Sequence, residues 1–199
     1  MKILFKPQIE WLPPEEFKDL SSYDEIAIDL ETKDPNLKTM GSGSVTGQAK
    51  IVGVALAVEG WSAYYPIAHE GGGNMDRKKV MDYFRTILNY PSKKIFHNAM
   101  YDVCFIRAEG LKINGTIVDT MIAGSLVDEN RFRYDLGSMG RDYLGKGKNE
   151  AVLNETAAIW GVDPKSEMYK LPAMYVGEYA ERDAEMTLEL WQEMKKEIY

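Results

Sequence analysis

Two carboxylates stand at the end of an apolar run early in the chain, in the stretch EIAIDLE, where Asp29 and Glu31 are two positions apart. Residues two apart in a β-strand point to the same side, so these acids share one face of the predicted strand. Neighbouring carboxylates repel each other unless a positive charge lies between them, and Mg²⁺ is commonly held by one or two carboxylates. The pair therefore suggests a divalent-cation site. Two solvated acids at a strand edge are the alternative, and a second Asp-x-Glu pair, Asp183 and Glu185, shows that the pattern alone is not specific.

Two later acids fit the same chemistry. Asp102 falls in the first turn of a helix predicted to follow the fourth strand, where ligand-binding groups gather in α/β sheets, although an acid there also complements the helix dipole. Asp183 lies within the apolar stripe of the last predicted helix, one turn after Tyr179. A carboxylate on the buried side of a helix needs a partner, which a backbone group or an arginine could also supply. Taken together, the four acids form a ligand set for two divalent ions.

The pattern of apolar residues predicts an α/β fold that places these acids. Three strands come first and suggest an antiparallel meander, and strand-helix alternation follows. The expected result is a mixed five-stranded sheet flanked by helices. The predicted strands are EIAIDLE, KIVGVALAVEG, WSAYYPIAH, KKIFH and TIVDT, with helices over MDRKKVMDYFRTIL, NAMYDVCFIRAEG, MIAGSLV, DLGSMGRDYL, NEAVLNETAAIWG and residues 175–198. LPPEEFKDL predicts a short helix at the start, in a helical lead-in over residues 1–22.

Composition narrows the class of protein. A chain of 199 residues with 45% hydrophobic content suits one domain, residues 1–199, and no apolar run reaches the length of a membrane span, so we expect a cytoplasmic protein with no membrane partner. The single cysteine, Cys104, excludes an internal disulfide. A net charge of −7 argues against a passive nucleic-acid coat. The segment from Arg131 to Lys148 is locally basic, and we interpret it as a solvated surface. Its basic residues are Arg131, Arg133, Arg141, Lys146 and Lys148, and its acidic residues are Asp135 and Asp142.

Three short motifs, in this order, resemble those of the DEDD family of 3′-to-5′ exonucleases, which has a ribonuclease-H-like fold. DLET matches the first through Asp29 and Glu31, HNAMYD the second through Asn98 and Asp102, and YAERD the third through Tyr179 and Asp183. The histidine subclass needs His where Glu178 stands, so the likeness is to the tyrosine subclass. Within it, residues 24–193 look most like the proofreading domain of bacteriophage and bacterial family A DNA polymerases. Met100 and Met139 depart from the usual residues and touch no expected ligand.

The resemblance implies two-metal phosphodiester hydrolysis with Mg²⁺ or Mn²⁺. It makes Asp29 a ligand of both ions, Glu31 and Asp183 ligands of the ion that activates water, and Asp102 a ligand of the second ion. Tyr179 would orient the attacking water, since a phenol with an ordinary pKa near 10 stays protonated. The positions that the resemblance assigns to the substrate are Thr32, Asn98, Tyr101 and Arg133.

The expected substrate is the 3′ end of single-stranded DNA, and the expected partner is a polymerase domain in the same full-length chain. Two alternatives stay open at this point. One is a ribonuclease-D-like RNA 3′ exonuclease, which shares the same four acids. The other is a catalytically inactive domain that binds DNA or supports a polymerase, although all five motif side chains are present.

Overall fold

A computed structural model describes residues 9–199, and at its centre lies a five-stranded sheet in the order β3-β2-β1-β4-β5. β1 pairs antiparallel with β2, and β2 with β3, whereas β1 and β4, and β4 and β5, run parallel. The strands are β1 (Glu25–Lys33), β2 (Lys50–Val58), β3 (Trp61–Pro66), β4 (Lys93–Phe96) and β5 (Ile117–Asp119). The predicted meander, parallel additions and mixed sheet are confirmed.

Helices cover both faces of the sheet, as predicted. They are α1 (Leu37–Met40), α2 (Arg77–Asn89), α3 (Ala99–Ala108), α4 (Thr120–Val127), α5 (Leu136–Leu144), α6 (Ala151–Trp160) and α7 (Gly177–Ile198). Short 3₁₀ turns at Met168–Lys170 and Ala173–Tyr175 precede α7. The one-turn helix α1 lies in the connection between β1 and β2. No helix among residues 9–199 is both long enough and apolar enough to cross a lipid bilayer.

The two faces of β1 have different residues, and this difference positions the site. Ile26, Ile28 and Leu30 pack with Phe84, Phe105 and their neighbours on the side of α2 and α3. On the opposite side Ala27 lies in the cluster that α7 completes, together with Ala55 and Ala57 of β2. Small side chains on this face let α7 approach the sheet closely, because nothing bulky separates their backbones. Asp29 and Glu31 continue the alanine side of β1, so they face α7.

The prediction of a helix at LPPEEFKDL is wrong. Residues 9–24 contain no helix, and the remainder of the predicted lead-in, residues 1–8, lies outside the described residues. A segment this short forms no stable helix by itself, so tertiary contacts decide its path. Trp11 lies against Gly177, where there is no space for a Cβ, Phe17 stacks on Tyr65 with ring centroids 5.6 Å apart, and Leu20 is fully buried. These separate anchors hold the segment against the domain without a helix.

Candidate active site

The end of β1 presents Asp29 and Glu31, both half-buried, toward α7. The register between β1 and β2 shifts directly after Glu31, from the pair Glu31 with Gly53 to the pair Thr32 with Ile51. Such a bulge bends a strand and redirects the side chains beside it. Gly53 leaves no room for a Cβ because the Tyr64 hydroxyl fills that space. The strand therefore bends directly after Glu31, and the partner of Glu31 in β2 is Gly53, a position that only glycine can occupy.

Asp102 reaches the same space from the first turn of α3 and is buried. The turn into α3 is fixed by Asp119, whose carboxylate accepts the backbone N–H groups of Asn98 at 3.0 Å, Ala99 at 2.8 Å and Met121 at 2.9 Å. Asn98 adopts a left-handed conformation with a φ of 65°. Asp119 thus caps α3 and α4 together. Sequence reasoning missed this role, although an Asp two residues before MIAGSLV was an available signal.

The third segment, α7, supplies Tyr179 and Asp183 one turn apart. Asp183 is 3% exposed, as its place in the apolar stripe predicted, and its Oδ1 atom is buried with no partner among the described residues. Its other oxygen, Oδ2, accepts a hydrogen bond from Lys148 Nζ at 2.7 Å, and the same ammonium donates to Tyr179 Oη at 3.2 Å. The charged partner of Asp183 is therefore a lysine that sequence analysis had interpreted as solvated.

Electrostatics show that the four acids share one space. Burial, together with the charge of Asp183, raises the pKa of Asp29 to about 7. Burial and the charges of Asp29 and Asp183 hold the pKa of Glu31 well above its usual range. The pKa of Asp102 is likewise raised by burial, Asp29 and Glu31. Burial also raises the pKa of Asp183, against the opposing effect of Lys148. The cluster carries more negative charge than Lys148 neutralises, which is the condition that favours a bound cation.

The donor set fits hard divalent cations. It consists of carboxylate oxygens alone, which Mg²⁺ and Mn²⁺ prefer, and the Asp183 Oδ1 atom has no partner in the described part of the chain. In residues 9–199, no three His, Cys, Asp or Glu side chains already converge on one metal position. The ammonium of Lys148 occupies one ligand direction of Asp183, at Oδ2.

A cleft of about 920 Å³ opens beside this cluster, next to α5 and the loop that joins α5 to α6. Its lining includes Glu31, Tyr179, Lys148 and Arg133. Arg133 is exposed, and Arg141 and Lys165 line the same cleft. These exposed side chains give the cleft a basic rim, which suits the binding of a phosphate chain.

The structure places the other three predicted substrate residues on a neighbouring edge, outside the described lining of the cleft. Thr32 Oγ1 and Tyr101 Oη are hydrogen-bonded at 2.8 Å, and Tyr101 Oη donates to Asp34 Oδ2 at 3.4 Å. Asn98 is exposed at the start of α3. Thr32 and Tyr101 are thus brought together, whereas Arg133 lies apart from them on the cleft rim.

A buried pair beneath the site, Tyr64 and His69, was also missed. Tyr64 Oη lies 2.6 Å from His69 Nε2, and His69 Nδ1 lies 3.0 Å from the Leu171 carbonyl oxygen. Burial lowers the pKa of His69 to about 4, so the ring is neutral near pH 7. Nδ1–H then donates to Leu171, and Nε2 accepts from the tyrosine. Burial, Glu31 and Asp29 raise the pKa of Tyr64, which places its hydroxyl close to the acids. No sequence signal connects these two residues.

Comparisons with known proteins identify the family of the chain. Residues 10–199 match the family model described as 3′-5′ exonuclease, of the DNA polymerase A type. A DNA-directed DNA polymerase of Pseudomonas phage M6 is 33% identical over 197 residues, which cover 95% of this chain and 30% of the polymerase. The chain thus spans about a third of that relative's length.

Two solved structures share the fold. Trypanosoma brucei RNase D is similar with a TM-score of 0.62 and 18% identity, over 87% of this chain and 58% of that one. Brucella melitensis NrnC with bound Mg²⁺ has a TM-score of 0.56 and 18% identity, over 90% of this chain and 77% of that one. At this level of identity the likeness concerns the fold, and it confirms the ribonuclease-H-like architecture that the motifs implied.

Proposed function

The chain belongs to the DNA polymerase A type of 3′-5′ exonuclease family, and from this we propose that it removes nucleotides from the 3′ end of single-stranded DNA. We further propose that it does so with two divalent cations, Mg²⁺ or Mn²⁺, and that it edits for a polymerase in the same full-length chain. The phage M6 relative, a polymerase about three times as long, supports that last part. The observation that carries the proposal is the group of carboxylates on β1, α3 and α7, in which the charges of Asp29, Glu31 and Asp183 raise the pKa of neighbouring acids, beside a cleft with a basic rim.

The ligands would be Asp29, Glu31, Asp102 and Asp183, with Asp29 serving both ions. When bound, the ions supply the positive charge that stabilises the transition state of phosphoryl transfer, and they lower the pKa of the attacking water. The chain's own contribution is to hold the acids on three separate rigid elements, so that little reorganisation accompanies the reaction. The fold neighbour solved with Mg²⁺ is consistent with this choice of ion.

Tyr179 stays protonated in this site. Burial and the charges of Asp183, Glu31 and Asp29 raise the pKa of its phenol far above the ordinary value. A phenol that does not ionise cannot serve as a general base, but it can donate or accept a hydrogen bond. We assign to Tyr179 the orientation of the attacking water against the scissile phosphate.

The proposed substrate contacts divide into two groups. Arg133, on the rim of the cleft, would hold a backbone phosphate of the strand, since a guanidinium binds phosphate well. Thr32, Asn98 and Tyr101, on the neighbouring edge, would contact the terminal nucleotide. The hydrogen bond between Thr32 and Tyr101 supports this, because it fixes both side chains before substrate arrives. The cations would offset the net charge of −7 where the polyanionic substrate binds.

The test is the digestion of a 5′-labelled single-stranded DNA by the 199-residue chain. With Mg²⁺ we expect a ladder of products shortened from the 3′ end, which is lost with EDTA and in Asp29→Ala. A matched variant, Asp24→Ala, removes an exposed acid near the start of the same strand and should leave the ladder intact. An absent ladder, or one that persists in Asp29→Ala, refutes the proposal.

RNA is the second candidate substrate, and the likeness in fold to RNase D favours its inclusion. A DNA and an RNA oligomer of the same sequence, digested side by side, separate the two functions. Faster trimming of DNA supports the editing function. Faster trimming of RNA transfers the proposal to the ribonuclease function, with the same cation ligands.

A further inference from the structure

Lys148 brings a positive charge into the carboxylate cluster. Its Nζ atom lies 2.7 Å from Asp183 Oδ2, 3.2 Å from Tyr179 Oη and 5.1 Å from the centre of the Tyr179 ring. The lysine side chain is 21% exposed and that of Asp183 is 5% exposed, so the ion pair is well shielded from water. Removal of one partner from a shielded pair is costly, because it leaves the other charge buried and uncompensated. Lys148 is therefore part of the site and not of a solvated surface.

The loop that carries Lys148 favours movement of its side chain. Residues 145–150 join α5 to α6, and glycines lie on the N-terminal side of Lys148 at positions 145 and 147. Apart from its chain neighbours, no other residue lies within 4 Å of the Cβ position of Gly147, so this side of the loop faces open space. The ammonium is carried on a flexible stem with several rotatable bonds and no fixed geometry. It can leave Asp183 without unfolding a helix or strand.

The contacts of Lys148 conflict with the proposed role of Asp183. A cation ligated through Oδ2 would compete directly with the ammonium that occupies that oxygen. The second oxygen, Oδ1, is buried and has no partner in the described residues, so only one of the two carboxylate oxygens of Asp183 is hydrogen-bonded. A divalent ion and a lysine at the same carboxylate also repel each other. Binding of a divalent cation at Asp183 therefore competes with the Lys148–Asp183 ion pair.

We propose that Lys148 is a resident counter-ion, which neutralises the metal-free carboxylate cluster and which a divalent cation displaces from Asp183. This inference rests on the proposed function, because it takes Asp183 as a cation ligand. The displacement sets the metal-ion concentration at which the site loads: the stronger the pair, the more metal is required. Lys148 is a positioning residue in this account, since it acts through Asp183.

The test measures metal binding without DNA and without turnover. Mn²⁺ is titrated into the 199-residue chain at pH 8, and the free ion is followed by electron paramagnetic resonance. In Lys148→Met we expect the Mn²⁺ concentration for half-saturation to fall about tenfold, the ratio expected for the loss of one competing charged hydrogen bond. Lys148→Arg keeps the charge and should stay within about twofold of the wild type.

Lys146→Met is the matched control. Lys146 lies two positions away in the same loop but pairs with Glu189 at 2.8 Å on the surface. Its half-saturation should equal that of the wild type. An unchanged or higher half-saturation in folded Lys148→Met overturns the inference and makes the lysine a structural support of the ligands.

Thermal unfolding supplies a second measure. Without metal, Lys148→Met leaves Asp183 unpaired in a buried position, so we expect it to melt below the wild type, and saturating Mn²⁺ should close this gap. A gap that persists at saturation contradicts displacement. If Lys148→Met does not fold without metal, Lys148→Gln, which keeps a donor but no charge, replaces it in both measurements.

The two proposals fail in different ways. A wild-type chain that takes up no Mn²⁺ overturns both. A wild-type chain that binds Mn²⁺ and trims DNA, together with a Lys148→Met variant of unchanged half-saturation, overturns only the displacement.

Discussion

Asp29→Asn should stabilise the metal-free chain at alkaline pH while it abolishes catalysis. Burial and Asp183 raise the pKa of Asp29 from 3.8 to about 7 in the folded chain. A carboxyl whose folded pKa is raised binds its proton more tightly in the folded than in the unfolded state. Its contribution to stability is therefore present below about pH 4 and is lost as the pH rises through about 7. Above that pH the ionised side chain opposes folding, and an amide in its place does not.

The size of the effect follows from the two pKa values. The difference between the pKa of Asp29 in the unfolded chain, 3.8, and in the folded chain, about 7, corresponds to roughly 4 kcal/mol of unfolding free energy if the whole shift opposes folding. Asp29 is only half-buried and keeps contact with solvent, and Lys148 attracts it, so side-chain movement will reduce the effect. We expect a gain of about 1–2 kcal/mol for Asp29→Asn at pH 8, which corresponds to a rise in Tm of about 4 °C for a domain of this size.

Thermal unfolding followed by circular dichroism in EDTA, at pH 5 and pH 8, provides the assay. The rise should be largest at pH 8 and smaller at pH 5, because at pH 5 Asp29 is protonated in the folded wild type but already ionised in the unfolded chain. Asp24→Asn, an exposed acid, is the control and should change the Tm at neither pH. Mg²⁺ should stabilise the wild type more than Asp29→Asn. A variant less stable than the wild type at pH 8, or a difference independent of pH, refutes the reasoning.

Three further substitutions test individual residues. Tyr179→Phe removes the hydroxyl that orients water, so single-turnover digestion should slow about a hundredfold while the Mn²⁺ half-saturation changes little; equal losses would make Tyr179 structural. Arg133→Ala should weaken binding of single-stranded DNA about fivefold and reduce the slope of log affinity against log salt by about 0.7, as measured by fluorescence anisotropy in EDTA; an unchanged slope excludes a phosphate contact. Asp119→Ala removes the acceptor of three backbone N–H groups and should lower the free energy of unfolding by about 2–3 kcal/mol, as measured by urea denaturation. The control, Asp119→Asn, keeps an acceptor oxygen and should lose less.

The sequence predicts what depends on local periodicity. The alternation in EIAIDLE puts Ile26 and Ile28 on the face opposite Asp29 and Glu31, and both isoleucines are fully buried. The stripe of α7 placed Asp183 on the buried side, where it lies at 3% exposure. Short spacings within one strand or one helix fix which side chains share a face, so the five motif residues could be named before any coordinates were known.

What the sequence did not predict depends on contacts between distant segments. Lys148 looks like any loop lysine until the fold brings it to Asp183, 35 positions later. Tyr64 can pair with His69 because Gly53 in the neighbouring strand leaves space for the tyrosine hydroxyl. The types of these residues do not predict the pair. The predicted helix near Leu20 failed for the same reason, because separate tertiary anchors outweigh weak local propensity.

Anomalous diffraction from crystals of the chain soaked in Mn²⁺ and a short single-stranded DNA tests the central claim most directly. The account predicts two manganese peaks among the carboxylates of Asp29, Glu31, Asp102 and Asp183, with Asp29 in contact with both and the 3′-terminal phosphate beside them. The loss of both peaks in Asp29→Ala would complete the result. Manganese bound elsewhere, or a 3′ end bound away from these four side chains, would contradict it.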